Sequence, residues 1–110
     1  MLVAELEGAL LDYWVAKAGG SKFSSFDEFL NSSAARRSLH IYSSFWAQGG
    51  PIIERERISI NYDASGRYSQ GWRAFSAKMP IMLGDTPLIA AMRCYVATKY
   101  GDEVPDMEEV

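Results

Sequence analysis

Residues 86–101 read TPLIAAMRCYVATKYG and form the stretch of the chain with the clearest local signals. Thr86 can accept a hydrogen bond as an N-cap, Pro87 suits the first helical position, and Gly101 supplies a stop. The spacing predicts a helix over residues 88–100 that is apolar around most of its circumference, and such a helix is expected to be buried on more than one side. Its main stripe is Leu88, Ala91, Met92, Tyr95, Val96 and Lys99, widened by Ile89, Cys94 and Ala97.

A second long helix is predicted near the start of the sequence. Apolar residues recur at helical spacing over residues 6–18, and Gly19-Gly20 follows as a stop. The capping-box pattern Ser25-Phe26-Asp27-Glu28 predicts a short helix through Leu30. The two long helices are therefore expected to form the core together.

Two strands are predicted further along the chain. Ile58, Ile60 and Tyr62 alternate with polar residues, residues 63–66 have the composition of a turn, and a return strand is expected over residues 72–77. The expected fold class is α+β. It has two long core helices packed with a small antiparallel β-sheet or hairpin and one or two short helices.

The segment before these strands carries two weaker signals. Leu39 and Ile41 alternate with polar neighbours, which weakly indicates a strand. Gly49-Gly50-Pro51 predicts a turn that feeds a short helix with Pro51 at its first position. Glycines before a helix can also turn backbone N–H groups towards an anion, although no Lys-Ser/Thr follows as in a nucleotide P-loop. The favoured interpretation is a tight turn beside Trp46.

Composition indicates one domain and excludes some classes of protein. The chain has 110 residues, 48% of them hydrophobic, and 11 bases against 14 acids give a net charge of −3. These values suit a single globular domain, which we place at residues 1–101, and argue against overall disorder. Five acids and no base fall in residues 102–110, predicted to be a loose acidic tail, so eleven bases face nine acids in the rest.

The residues that could carry catalysis or bind metal are few. His40 and Cys94 are the single histidine and the single cysteine, so no intramolecular disulfide can form and a four-ligand zinc site would need carboxylates. Cys94 lies within an apolar helix and is expected to act as a small hydrophobe. We therefore expect no catalytic residue, no metal site and no cofactor. The alternative is a small enzyme or anion-binding protein at Gly49-Gly50-Pro51 that uses Glu54, Arg55 and His40.

Location and nucleic-acid binding are judged from the same composition. No basic segment opens the sequence as in a secretory signal, and the apolar runs are too short to span a bilayer. A cytoplasmic protein without membrane contact is expected. Its basic residues are dispersed along the chain, which makes nucleic-acid binding a weak third possibility.

Three blocks of sequence carry a family resemblance. Residues 42–56 read YSSFWAQGGPIIERE, residues 84–104 read GDTPLIAAMRCYVATKYGDEV, and residues 6–18 read LEGALLDYWVAKA. In this order they resemble the phage NinX-like family, domains of unknown function in tailed phages and enterobacterial prophages. The resemblance implies a phage or prophage accessory protein in a bacterial cytoplasm, with no established activity or cofactor. It singles out a candidate recognition block of Tyr42, Trp46, Gln48, Gly49, Gly50, Pro51, Glu54 and Arg55.

These observations favour a non-enzymatic binding module over an enzyme. The expected partner is a macromolecule of the host or the phage, and a protein is favoured. A homodimer is also predicted, because two helices that are apolar nearly all round need more cover than a small domain readily provides.

Overall fold

The structure is a computed structural model that describes residues 1–32, 40–67, 71–77 and 79–106. Over these residues the chain forms four α-helices and a three-stranded antiparallel sheet, which confirms the predicted α+β class. In chain order the elements are a 3₁₀ helix (Val3–Glu5), α1 (Gly8–Ala18), α2 (Phe26–Asn31), α3 (Trp46–Glu56), β1 (Ser59–Tyr62), β2 (Trp72–Ser76), β3 (Met79–Gly84) and α4 (Pro87–Tyr100).

Helix α4 lies at the centre of the molecule. The sheet packs against it from one side, and α1 and α3 also pack against it, so that Leu88 and residues 90–97 are all buried. Its start and end are those predicted. The Thr86 hydroxyl accepts a hydrogen bond from the Ile89 N–H at 3.1 Å, and the helix ends before Gly101. The apolar circumference that suggested a second copy of the chain is thus largely covered within one chain.

The two other predicted helices are also present. Helix α1 begins at Gly8, two residues later than predicted, because the preceding residues form the 3₁₀ helix and Leu6 is extended. Helix α2 begins as its capping box predicts, with the Ser25 hydroxyl accepting from the Glu28 N–H at 3.1 Å. The Glu28 carboxylate accepts in return from the N–H of Ser24, one residue earlier than the usual pattern.

The sheet has the order β1-β2-β3, and the predicted hairpin forms its first two strands. Ile60 pairs with Ala74, and Ala74 pairs with Met82, so these three side chains share the face that belongs to the core. Strand β3 was not predicted. Its last residue, Gly84, passes so close to α4 that an added Cβ would overlap the Ala90 backbone nitrogen and lie 2.9 Å from the Ala90 Cα.

Two predictions are corrected, one for the segment before α3 and one for the segment after α4. The weak strand at Leu39 and Ile41 is not supported where the structure describes it, because Ile41 leads into a turn over residues 42–44 and Leu39 lies outside the described residues. The predicted tail is not loose at its start. The Val3 N–H donates to the Asp102 carbonyl and the Val104 N–H to the Met1 carbonyl, both at 2.9 Å, and Val104 is buried. Residues 107–110 lie outside the described part.

Arg93 is a buried cation that joins three separate segments. It is only 4% exposed, because it lies on α4 between the 3₁₀ helix and β3. Its Nε donates to the Leu6 carbonyl and its Nη1 to the Leu83 carbonyl, both at 2.7 Å. Burial lowers the pKa of the guanidinium. The N-terminal segment, α4 and the sheet edge are therefore held together by charge-assisted hydrogen bonds.

Replacing Arg93 with Ala is expected to lower the free energy of unfolding by about 2–4 kcal/mol, because two carbonyl groups lose a charged donor inside the protein. Urea denaturation followed by circular dichroism measures this loss. Arg67→Ala, at an exposed arginine after the hairpin turn, is the control and should change stability by less than about 0.5 kcal/mol. A loss for Arg93→Ala no larger than that of the control would contradict the assigned role.

Candidate functional site

The candidate recognition block is divided between two sides of helix α3. Trp46 and Arg55 are nine residues apart, which places them on opposite sides of a helix with 3.6 residues per turn. Four members of the block line one groove, Trp46 lines a different cavity, and Gly49 is packed between the two. The four in the groove are Tyr42, Gln48, Pro51 and Arg55.

The groove has a volume of about 480 Å³ and is built by three helices; we call it the Arg55 groove. Helix α3 contributes one wall, the end of α1 another, and the last turns of α4 the third. Its floor is buried and mostly apolar, whereas Arg55 and Lys99 are exposed at its rim. The lining residues are Val15, Ala18, Gly19, Tyr42, Gln48, Pro51, Ile52, Arg55, Glu56, Tyr95 and Lys99.

The two cationic side chains of the groove both lie close to the ring of Tyr95. The Arg55 guanidinium carbon lies 5.7 Å from the centroid of the Tyr95 ring, and the Lys99 ammonium lies 5.8 Å from it. The Arg55 Nη2 also donates to the Tyr95 hydroxyl at 3.4 Å, and its Nε donates to the Glu56 carboxylate at 2.9 Å. Burial raises the pKa of the Tyr95 phenol, and Arg55 offsets part of that rise.

The turn that carries Tyr42 is held in place by side chains of two helices. The Asp12 carboxylate of α1 accepts from the Ser43 N–H at 2.9 Å, and the Gln48 side-chain oxygen of α3 accepts from the Ile41 N–H at 2.8 Å. Burial raises the pKa of Asp12, while the bond from Ser43 and the proximity of His40 act in the opposite direction. Asp12 was not among the predicted site residues, and its position in an apolar helix was the available signal.

His40 does not lie in the Arg55 groove. Its Nδ1 is 2.8 Å from the Tyr42 hydroxyl, and its ring packs edge-on against Phe23, with the centroids 5.4 Å apart. It lines a separate cavity beside α2, whereas Glu54 is exposed and lines neither that cavity nor the Arg55 groove. The groups of the alternative enzyme site are therefore not brought together.

Burial answers the prediction made for Cys94. Cys94 is fully buried and burial raises the pKa of its thiol, so it packs as the predicted small hydrophobe. Within residues 1–32, 40–67, 71–77 and 79–106, no three His, Cys, Asp or Glu side chains are placed to hold a metal ion. None of the helices described there has the length and apolar character needed to cross a membrane.

The predicted turn at Gly49-Gly50-Pro51 is wrong, because these residues lie inside α3. The helix begins three residues earlier, and the Gly49 N–H donates to the Phe45 carbonyl at 3.0 Å instead of facing outwards to an anion. Pro51 cannot donate to the carbonyl of Ala47. Both of these residues are exposed, so water can satisfy that carbonyl. The backbone anion site proposed for this turn is thus not formed.

Close packing explains why residue 49 is a glycine. A Cβ added at Gly49 would lie 2.6 Å from both the Leu88 side chain and the Tyr42 carbonyl oxygen. A Cβ added at Gly50 would meet nothing closer than the Trp46 ring at 3.9 Å. Gly49 therefore allows α3, α4 and the turn at Tyr42 to approach one another, whereas Gly50 has no such contact.

A second cavity, of about 320 Å³, lies where α3 and α4 begin; we call it the Trp46 cavity. Trp46 is 54% exposed and the preceding residue, Phe45, is 49% exposed. Two adjacent exposed aromatic side chains beside a cavity form a contiguous apolar patch of the kind that can mark an interaction surface. The residues that line the cavity are Ser43, Ser44, Trp46, Thr86, Pro87, Leu88 and Ile89.

The fold and these two surfaces define a small α+β protein with a ligand-sized cavity on either side of one helix. Residues 2–99 match the protein family described as Bacteriophage P22, NinX. The chain belongs to this family, which confirms the resemblance carried by its three sequence blocks. A comparison with curated proteins found no match.

Gly49→Ala is expected to destabilise the protein more than Gly50→Ala does. At Gly50 the helix preference for alanine is offset by the restriction that Pro51 places on the residue before it, so Gly50→Ala should change the free energy of unfolding by less than about 1 kcal/mol. Gly49→Ala should lower it by about 1–3 kcal/mol, because the new methyl group overpacks against Leu88 and a backbone carbonyl. Thermal and urea unfolding of the two variants provide the measurement. A loss for Gly49→Ala no larger than that for Gly50→Ala would show that the approach at Gly49 is not tight.

The raised pKa of Asp12 predicts a pH-dependent difference between the wild type and Asp12→Asn. A raised pKa means that the native state binds the proton more tightly than the unfolded state, whose value is near 3.8. The resulting stabilisation is present below that value and is lost as pH rises through the higher native pKa. The stability of the wild type relative to Asp12→Asn should therefore fall as pH rises above 3.8.

Asp63 supplies the control for this experiment. Hydrogen bonds from Ser65 lower the pKa of Asp63, so the stability of the wild type relative to Asp63→Asn should rise as pH increases towards 3.8 and then level off. Both series are measured by urea denaturation. A difference for Asp12→Asn that does not vary with pH would mean that Asp12 is not stabilised in its protonated form.

Proposed function

We propose that this phage-family protein is a non-enzymatic accessory protein that binds a host or phage protein in the bacterial cytoplasm. The observation that carries the proposal is the exposure of Phe45 and Trp46 beside the Trp46 cavity. A tryptophan at the edge of an apolar cavity is the kind of side chain that supplies most of the binding energy in protein interfaces. The expected partner presents an apolar segment to this surface.

The alternatives are less well supported. An enzyme at the glycine segment would need Glu54, Arg55, Gln48 and His40 around one cavity. Arg55 and Gln48 share the Arg55 groove, but His40 lines another cavity and Glu54 lines neither. Binding to nucleic acid would be favoured by a concentrated basic surface, whereas the bases are spread along the chain. A homodimer remains a proposal, with the Trp46 cavity as the surface on which a second copy would pack.

Affinity capture from infected or lysogenic host cells tests the proposal when the wild type is compared with Trp46→Ala. Truncation of a central tryptophan should reduce the recovered partner at least tenfold, because such contacts are worth about 2 kcal/mol or more. Ile81→Ala, at an apolar side chain that is also about half exposed on β3, is the control and should capture the partner normally. Quantitative mass spectrometry measures recovery, and thermal unfolding confirms that each variant is folded.

The outcomes separate the proposed partners. Equal recovery by the wild type and Trp46→Ala would contradict the proposal for this surface. Light scattering of the same proteins over micromolar concentrations tests the dimer. A mass of two chains that falls to one in Trp46→Ala would identify a second copy as the occupant, and a monomer throughout would remove the homodimer proposal.

A further inference from the structure

The Arg55 groove combines an apolar floor with a charged rim. Val15, Ile52 and the Tyr95 ring are buried at its base, while Arg55 and Lys99 are exposed above them. Its volume of about 480 Å³ lies within the range of about 300–1,000 Å³ that is usual for small-ligand sites. A ligand that fits both parts needs an apolar group for the floor and a polar group for the rim.

The charges of the rim favour a negative group. Two cations, Arg55 and Lys99, line the groove together with one carboxylate, Glu56. Lys99 forms no ion pair with any residue that the structure describes. Among the described residues, Glu56 accepts from the Nε of Arg55 alone, and one Nη2 hydrogen is directed at Tyr95. The other guanidinium N–H groups have no partner in that part of the chain and can donate to a ligand.

Tyr95 adds a third donor at the same place. Its hydroxyl oxygen accepts from Arg55, which leaves the hydroxyl hydrogen to donate elsewhere. The ring that carries this hydroxyl lies within 6 Å of both cationic groups. Donors from α3 and α4 are thus arranged around one aromatic surface.

We propose that the Arg55 groove is a binding site for a carboxylate attached to an apolar group. The carboxylate lies at Arg55, Lys99 and the Tyr95 hydroxyl, and the apolar group packs on Val15, Ile52 and the Tyr95 ring. A guanidinium can bind a carboxylate through paired N–H groups. Glu56 accepts from the Nε alone, so the Nη groups of Arg55 are the ones that would pair with the ligand. The carboxylate belongs either to the free end of a peptide chain or to a small acid.

A purely inorganic anion fits the groove less well. The apolar floor offers no hydrogen bonds to phosphate oxygens, and Glu56 reduces the excess positive charge of the lining to a single charge. A carboxylate carries one charge and leaves the floor to its apolar group. The site is also separate from the Trp46 cavity, which lies on the opposite side of α3, and does not depend on the proposed protein partner.

Three small probes test the two parts of the site. N-acetyl-leucine has the carboxylate and the apolar group, N-acetyl-leucine amide has the apolar group alone, and inorganic phosphate has charge alone. Titration of the ¹⁵N-labelled protein, followed by NMR, is expected to show saturable shifts of the Gly19 amide and the Gln48 side-chain amide. N-acetyl-leucine should bind at least tenfold more tightly than either of the other probes.

Matched variants assign the effect to the rim. Arg55→Gln should weaken N-acetyl-leucine binding at least tenfold, while Arg67→Gln, which removes the same charge at an exposed position outside the groove, should leave it unchanged. Glu56→Gln should tighten binding about two- to fivefold, because it removes a like charge. Trp46→Ala should not alter it, which separates this site from the proposed protein-binding surface. The NMR spectrum of each variant reports whether it is folded.

Peptide probes distinguish the two sources of the carboxylate. A pentapeptide that ends in leucine is compared as the free acid and as the C-terminal amide. Tighter binding of the peptide acid than of N-acetyl-leucine supports a chain end as the ligand, and weaker binding supports a small acid. Equal binding of acid and amide forms, tighter binding of phosphate, or no effect of Arg55→Gln would overturn the proposal.

Discussion

Helix α4 must be covered on all sides, and the rest of the fold provides that cover. Leu88 and residues 90–97 are buried, with the sheet packed against the helix from one side and α1 and α3 also packed against it. Close packing near its beginning requires small residues in its neighbours. Gly84 of β3 approaches Ala90, and Gly49 of α3 approaches Leu88, so two glycines from different elements are explained by one helix.

Buried polar groups organise the parts of the chain that apolar packing does not. Arg93 binds backbone carbonyls in the N-terminal segment and in β3, and Asp12 accepts from the turn at Ser43. In each case a side chain on a helix satisfies backbone groups of another segment, namely the N-terminal segment, the edge strand β3 or the turn at Ser43. A buried polar group without a hydrogen bond lowers the stability of a protein, so these contacts specify where the segments lie.

Features that depend on residues adjacent to one another in the sequence could be predicted. The caps at Thr86 and Ser25 and the strands of the hairpin are of this kind, because each follows from a few adjacent side chains. Strand β3 contains Pro80 and Gly84, which weaken a strand pattern, and its pairing with β2 had to be seen in the structure. The local sequence predicted a turn at Gly49. The contacts that explain this glycine come from Leu88 and Tyr42, and a local pattern does not reveal them.

The candidate site was predictable to the same extent. The resemblance pointed to Arg55, Gln48 and Tyr42, while Tyr95 and Lys99 were predicted only as members of one helical stripe. Their spacing of four residues places both beside Arg55 once α3 packs against α4. The packing of α3 against α4 depends on tertiary contacts, which no local sequence pattern encodes.

The position of Gly49 also has a thermodynamic consequence. An added Cβ there would press on Leu88, which lines the Trp46 cavity, and on Tyr42, which lines the Arg55 groove, so α3 has little free space at this point. Gly49 is therefore packed against a lining residue of each cavity. Any coupling free energy between occupants of the two cavities is reciprocal: whatever one does to the affinity for the second, the second does equally to the affinity for the first.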